Sequence, residues 1–170
     1  MGKYETLSHV LGKCKQSELL RINRHHRVCD ILANTLNRSW LTIREDGTTT
    51  INGDTRITDI VAVEKNGKRG YILDPTIRWE KHINQADEIN EEKRSHYLPT
   101  LPKYKEKFPK VKNWDVIGLF FGARGVIPKF TSNILKTKFK IKKELLDEIS
   151  ISILKDSLRI LHHHLYSKSI

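Results

Sequence analysis

The sequence predicts an α/β fold in which a mixed β-sheet carries helices on its faces. Three observations predict it. Residues 56–80, RITDIVAVEKNGKRGYILDPTIRWE, form two apolar runs around Asn66-Gly67, the strongest short signal for a tight hairpin. Residues 114–122, WDVIGLFFG, are almost wholly apolar, as in a strand buried on both faces. Segments with helical character lie before, between and after these runs, so the order reads helix, hairpin, helix, strand, helix.

Each element has its own reason. Glu5 to Cys14 is short and polar. From Ser17, a suitable N-cap, Leu20, Arg24, Val28, Ile31 and Thr35 recur at helical spacing as far as Leu36. Thr42 to Asp54 is rich in Gly, Thr and Asp and reads as a loop before the hairpin. Glu80 to Tyr97 is charged and helix-prone and stops before Pro99 and Pro102. Thr100 to Lys112 reads as a basic loop. Ile141 to Tyr166 is predicted as a long amphipathic helix, apolar at Leu145, Ile149, Ile153, Leu158, Leu161 and Leu165. The chain has no internal repeat and no low-complexity tract.

The 170 residues suit a single domain, and 38% apolar content builds a core of moderate size. A net charge of +11, spread along most of the chain, points first to nucleic acid as partner, ahead of a membrane surface or an acidic protein. No apolar run approaches the roughly 20 residues of a membrane span. Two cysteines, Cys14 and Cys29, do not make a disulfide scaffold, which suits a reducing compartment such as cytosol or nucleus.

The hairpin poses a chemical question. With Asn66-Gly67 as the turn, paired positions sum to a constant that sets Asp59 opposite Asp74. Two carboxylates about 5 Å apart repel by about 3 kcal/mol at an effective dielectric near 20. The arrangement becomes sensible with a divalent cation or a lysine between them. Alternation places Asp74, Thr76, Arg78 and Glu80 on the side of Asp59, and Tyr71, Leu73, Ile77 and Trp79 on a core side. The plain alternative is a solvated Asp59 and an Asp74 that opens a turn before Pro75. On the next helix Ala86, Asn90, Lys93 and Tyr97 share one side, so a helix leaning on the polar face brings Lys93 to the acids. Carboxylates with a lysine suit metal-dependent phosphodiester cleavage: hard oxygens bind Mg²⁺, which activates water, and the lysine orients that water or stabilises developing charge.

RITDIVAV, YILDPTIRWE and EEKRSHY, in this order, resemble the restriction-like endonuclease domain of site-specific non-LTR retrotransposons, a branch of the PD-(D/E)xK nucleases. That family's pattern runs basic-x-x-Asp, a short hairpin, Asp-x-Thr with a basic residue and Glu, then a helix with Lys and Tyr. VIGLFFGARGVIPKF is similar to its buried strand and Gly-Ala-Arg-Gly turn. ETLSHVLGKC and RINRHHRVCDIL are similar to the second half of its CCHC zinc knuckle and the Arg-His helix after it. The resemblance covers nearly the whole chain.

The resemblance implies a PD-(D/E)xK core and assigns roles. Asp59 and Asp74 take the metal-ligand positions, Lys93 the catalytic lysine, and Glu80 and Tyr97 accessory catalytic positions. Arg24 and His25 match the helix that approaches the site. Arg56, Arg78 and Arg124, with the lysines of residues 103–112, are expected to contact phosphate. Residues 1–16 are expected to be a knuckle remnant, 17–140 the endonuclease core, and 141–170 a C-terminal helix packed on that core. Three departures stand out. Thr58 replaces the proline of the PD element, Pro75 follows the second aspartate, and His9 and Cys14 have no cysteine pair before them. Two ligands do not close a tetrahedral zinc site, so Mg²⁺ is expected and zinc is not, and His162, His163 and His164 read as a polar helix face.

The expectation is therefore a Mg²⁺-dependent endonuclease that nicks target DNA in the nucleus to prime reverse transcription, read as the C-terminal piece of a longer polyprotein. Its partners would be DNA and, in the intact polyprotein, element RNA, with no membrane. The alternatives are a catalytically decayed nuclease fold that grips nucleic acid, and a basic structural protein of an RNA–protein particle.

Overall fold

The computed structural model describes residues 5–65 and 67–167. Helix α1 (Leu7–Gly12) starts where the Thr6 hydroxyl accepts the His9 N–H at 3.2 Å. Then come α2 (Glu18–Leu36), β1 (Trp40–Thr49), β2 (Thr55–Glu64), β3 (Arg69–Arg78), α3 (Gln85–Tyr97) and α4 (Leu101–Lys107). Strand β4 (Asn113–Gly122), α5 (Lys129–Thr137) and α6 (Lys143–Tyr166) follow. The strands form one sheet in the order β1-β2-β3-β4, with β1–β2 and β2–β3 antiparallel. Asn113 donates to the Lys68 carbonyl at one end and Ala123 to the Arg78 carbonyl at the other, so β4 runs parallel to β3. This mixed sheet flanked by helices is the α/β class that the sequence predicts.

The hairpin register is the expected one. Ile60 pairs with Leu73 and Val63 with Gly70, so each pair keeps the sum that the Asn-Gly turn implies, although Asn66 itself lies outside the described residues. Pro75 falls beyond this ladder and removes no hydrogen bond from it.

Side-chain alternation breaks within β2. Arg44 pairs with Ile60 and Asp46 with Thr58, and between them Glu45 takes a left-handed φ of 51°. Thr58 meets Tyr104 of α4 at 2.9 Å, and Val61 and Val63 share the core that contains Tyr104. Strict alternation would put Thr58 and Val61 on opposite faces. On β1 the same reversal sends Arg44 to Asp30 of α2 and Asp46 to Lys107 of α4. The break falls at Asp59, so counting along the strand does not assign its side.

Two compact units are built from interleaved segments: Met1–Val28, Ile77–Ile83 and Phe121–Ile170 in the first, Cys29–Thr76 and Asn84–Phe120 in the second. In the second unit Val61, Val63, Ile72, Tyr97, Leu101, Tyr104, Val111 and Val116 form a core. The face expected to be polar is thus packed, with Asp74 3% and Thr76 8% exposed. In the first unit Val10, Leu11, Ala123 and Ile160 cluster against Ile77 and Trp79.

Four expectations change. The expected loop from Thr42 is strand β1, because Trp40, Leu41 and Ile43 begin a β-run that the Gly and Asp residues obscure. The basic loop at 100–112 holds helix α4, since Pro99 and Pro102 sit in first-turn positions that need no N–H. Helix α3 starts at Gln85 rather than Glu80. Helix α6 buries Leu146, Ile149, Ile153 and Ile160, while Leu158 and Leu165 are exposed, so its apolar residues lie on two sides.

Candidate functional site

Asp74 is the centre of the cluster in the second unit. Lys93 Nζ lies 3.1 Å from its Oδ1, and the Thr76 hydroxyl donates to the same oxygen at 2.8 Å. Lys93 reaches it because α3 lies close on β4. Gly118 makes this possible: a Cβ there would stand 2.9 Å from the Asn90 Cα and the Ile89 carbonyl oxygen. The Gly118 N–H donates to Asn90 Oδ1 at 3.0 Å, which ties the helix to the strand one turn before Lys93.

Tyr97, one further turn along α3, donates its hydroxyl to the Ile57 carbonyl at 3.1 Å and lies near Asp74. Burial, then the charges of Asp74 and Asp59, push its phenol up. Burial, then Asp59, with Asp74 also contributing, pushes the buried Cys29 thiol up as well. Both aspartates therefore act on the same two groups, and Asp59 is half-buried beside them. Arg44 donates to the Asp59 backbone carbonyl at 2.6 Å at the point where alternation reverses.

Beside these acids a cleft is lined by Arg56, Glu92, Lys93, Ser95, His96 and Tyr97. The His96 and Tyr97 rings meet edge-on at 4.6 Å. His96 is exposed, and partial desolvation of its ring, followed by the positive charges of Arg56 and Lys93, holds the imidazole below its ordinary value. A buried carboxylate and a second one nearby offer the hard oxygens that Mg²⁺ takes, and Lys93 supplies a cation at their edge. Asp59 and Asp74 are the residues that would hold the ion, whose chemistry would be to activate water and polarise a phosphodiester.

Glu80, Arg124, Arg24, His25 and Arg78 lie in the first unit, and the lysines of residues 103–112 in the second. Glu80 accepts from the Arg124 backbone N–H at 3.2 Å and pairs with its guanidinium at 3.3 Å. That guanidinium also stacks over Trp79, 4.7 Å from the ring centroid. Arg24, expected to touch nucleic acid, is 2% exposed and donates to Ser157 Oγ at 2.7 Å and the Leu11 carbonyl at 2.9 Å. Burial draws its guanidinium down to about 10. It is placed as an internal tie rather than a surface contact, because helix spacing fixes its side of α2 but not what covers that side. His25 is half-buried with its ring 5.7 Å from that of His26, and Arg78 is exposed at the end of β3.

The His162–His164 run is not a uniform polar face. His164 is 6% exposed, its Nδ1 lies 3.6 Å from Cys14 Sγ, and its Nε2 lies 2.7 Å from Glu5. Sequence reasoning also missed Gly118 and His96. A glycine in an apolar strand is a recognisable sign of close backbone approach, whereas nothing in EEKRSHY separates His96 from a solvated helix residue.

No family model matches the chain. Over 127 residues, 73% of its length, the chain is 31% identical to a retrovirus-related Pol polyprotein from the type-1 retrotransposable element R2 of Popillia japonica. The match covers 26% of that relative, so the chain spans about a quarter of its length. A crystal structure of a protein of unknown function, AF1548, aligns with 79% of this chain and 82% of its own at 15% identity and a TM-score of 0.37, too slight a likeness to bear on function. The chain is thus related in sequence to a retrotransposon polyprotein.

Proposed function

We propose that this chain is a Mg²⁺-dependent endonuclease domain of a non-LTR retrotransposon polyprotein, with a PD-(D/E)xK-type core that nicks DNA. The observation that carries the reading is Lys93 on the Oδ1 of buried Asp74, with Tyr97 and Asp59 close by. The kinship with an R2 polyprotein supports the setting. In this reading Asp59 and Asp74 hold the cation and Lys93 stands where charge develops on the scissile phosphate. Tyr97 ties α3 to β2 through the Ile57 carbonyl beside the acids. The basic surface carries the DNA, and the nick leaves a 3′-OH that primes reverse transcription in the nucleus.

A supercoiled-plasmid assay tests it. Nicking that requires Mg²⁺ and disappears in Asp74→Ala supports the reading, and a wild-type chain that binds plasmid but never nicks it defeats the reading. A second reading, a nuclease fold kept only for its grip on nucleic acid, is favoured by one observation. Lys93 and Thr76 both occupy Oδ1 of Asp74, so one of the two carboxylate oxygens is already engaged by protein groups. DNA binding that persists in EDTA without any nicking in Mg²⁺ selects this second reading.

A further inference from the structure

We propose that His96 and Arg56 together form a subsite for one backbone phosphodiester of the nucleic-acid strand, next to the aspartate pair, and that filling it takes up a proton. The assignment of the ligand rests on the nuclease reading, but the subsite can be tested without any cleavage.

Three observations converge. The cleft lined by Arg56, Glu92, Lys93, Ser95, His96 and Tyr97 has a volume of about 510 Å³, within the range typical of small-ligand sites. Arg56 lines this cleft, and its Nη1, shut off from solvent, has no hydrogen-bond partner among the described residues. A buried donor is normally satisfied, so this guanidinium has unused donor capacity that a small side-chain turn would bring to an acceptor in the cleft. Lys93 is engaged by Asp74, but His96 at the same wall has only like charges, Arg56 and Lys93, as its strongest electrostatic neighbours.

The opposing charges are few. Asp74 and Glu92 are acidic groups that act on His96, and partial desolvation of this exposed ring together with the two cations outweighs them. These influences favour the neutral ring before binding. A phosphodiester seated between Arg56 and His96 adds a negative charge and acceptor oxygens, which favour the protonated ring. A guanidinium and an imidazolium from two different elements, β2 and α3, approach from two directions and can each take an oxygen of a tetrahedral anion. Binding should then tighten as pH falls through the free and bound values of His96.

The test is oligonucleotide binding by fluorescence anisotropy in EDTA, from pH 5.5 to 8, with inorganic phosphate as competitor. Wild type is expected to bind more tightly at low pH, and His96→Ala to lose that dependence. Arg56→Ala is expected to weaken binding roughly tenfold and His96→Gln to bind without the pH step. Inorganic phosphate that competes with the oligonucleotide only weakly places the site on the strand, and strong competition by phosphate at equal concentration overturns a strand-specific subsite. Should the variants not fold, the His96 ring resonance of the wild-type chain is followed by NMR. Its midpoint should rise on adding oligonucleotide, and an unmoved midpoint overturns the proposal. A wild type that shows the proton linkage yet never nicks plasmid keeps the subsite and removes the nuclease.

Discussion

Lys93 Nζ and the Thr76 hydroxyl share Oδ1 of Asp74, at 3.1 Å and 2.8 Å, and the carboxylate between them is almost wholly buried. The two members of the ion pair are unequal. Lys93 keeps 21% of its side chain exposed and Asp74 only 4%. Lys93→Ala leaves a buried carboxylate with a weakened shell and should cost about 2–3 kcal/mol. Asp74→Asn should cost less, because Lys93 can turn its ammonium to water. Urea melts in EDTA compare the two, and the reverse order would show that the acid is not held by the lysine.

Gly118→Ala should damage the site, because the new methyl would also stand 3.0 Å from the Lys93 Cβ. The new methyl meets α3 backbone at 2.9 Å, so the helix must move and carry Lys93 with it. The expected loss is about 1–3 kcal/mol of stability, together with a nicking rate that falls more than the melting point explains. Unchanged stability and nicking would mean that α3 does not need this close approach.

Alkaline pH should destabilise the fold in two stages. Burial raises the Cys29 thiol from an ordinary 9.0, and the Tyr97 and Tyr104 phenols from an ordinary 10.0. The unfolded chain releases these protons first, so stability is complete below about pH 9 and is lost as pH rises beyond it. Cys29→Ala should move the onset up toward pH 10. Thermal melts between pH 8 and 11 decide this, and an onset that stays near 9 in the variant would assign it to another group.

Arg24 and Arg124 should behave as opposites. Arg24→Ala empties a buried tie to Ser157 and Leu11 and should cost about 3 kcal/mol or more. Arg124 is 55% exposed, so Arg124→Ala should leave the melting point within a degree or two. If it reaches a phosphate, it should flatten the salt dependence of DNA binding by about one unit. Mobility shifts across a salt series read the second effect, and an unchanged slope removes Arg124 from the DNA surface.

The hairpin and β4 were legible because their signals are local: a turn dipeptide fixes register, and a nearly continuous apolar run fixes a buried strand. The alliance of Lys93 and Tyr97 followed from four-residue spacing alone. What stayed hidden depends on tertiary context. The reversal at Asp59 accompanies a left-handed Glu45 on the neighbouring strand, which no pattern within RITDIVAV discloses. Strand β1 was masked by its Gly and Asp, and α4 by prolines that act as helix starters. The burial of Arg24 and His164 came from partners 133 and 150 residues away in sequence, beyond the reach of any periodicity.

The interleaving of the two units sets an order of assembly during synthesis. The second unit has all its residues once Phe120 is made, whereas the first needs α6, whose Ile160 completes a cluster with Val10 and Leu11. Closing contacts across so many residues is slow, because the intervening chain must first be confined. Through most of translation Val10 and Leu11 are therefore exposed apolar residues awaiting their partner. A chain that ends before α6 has every residue of the second unit but lacks Ile160, so Val10 and Leu11 stay less covered and the chain is more prone to aggregate.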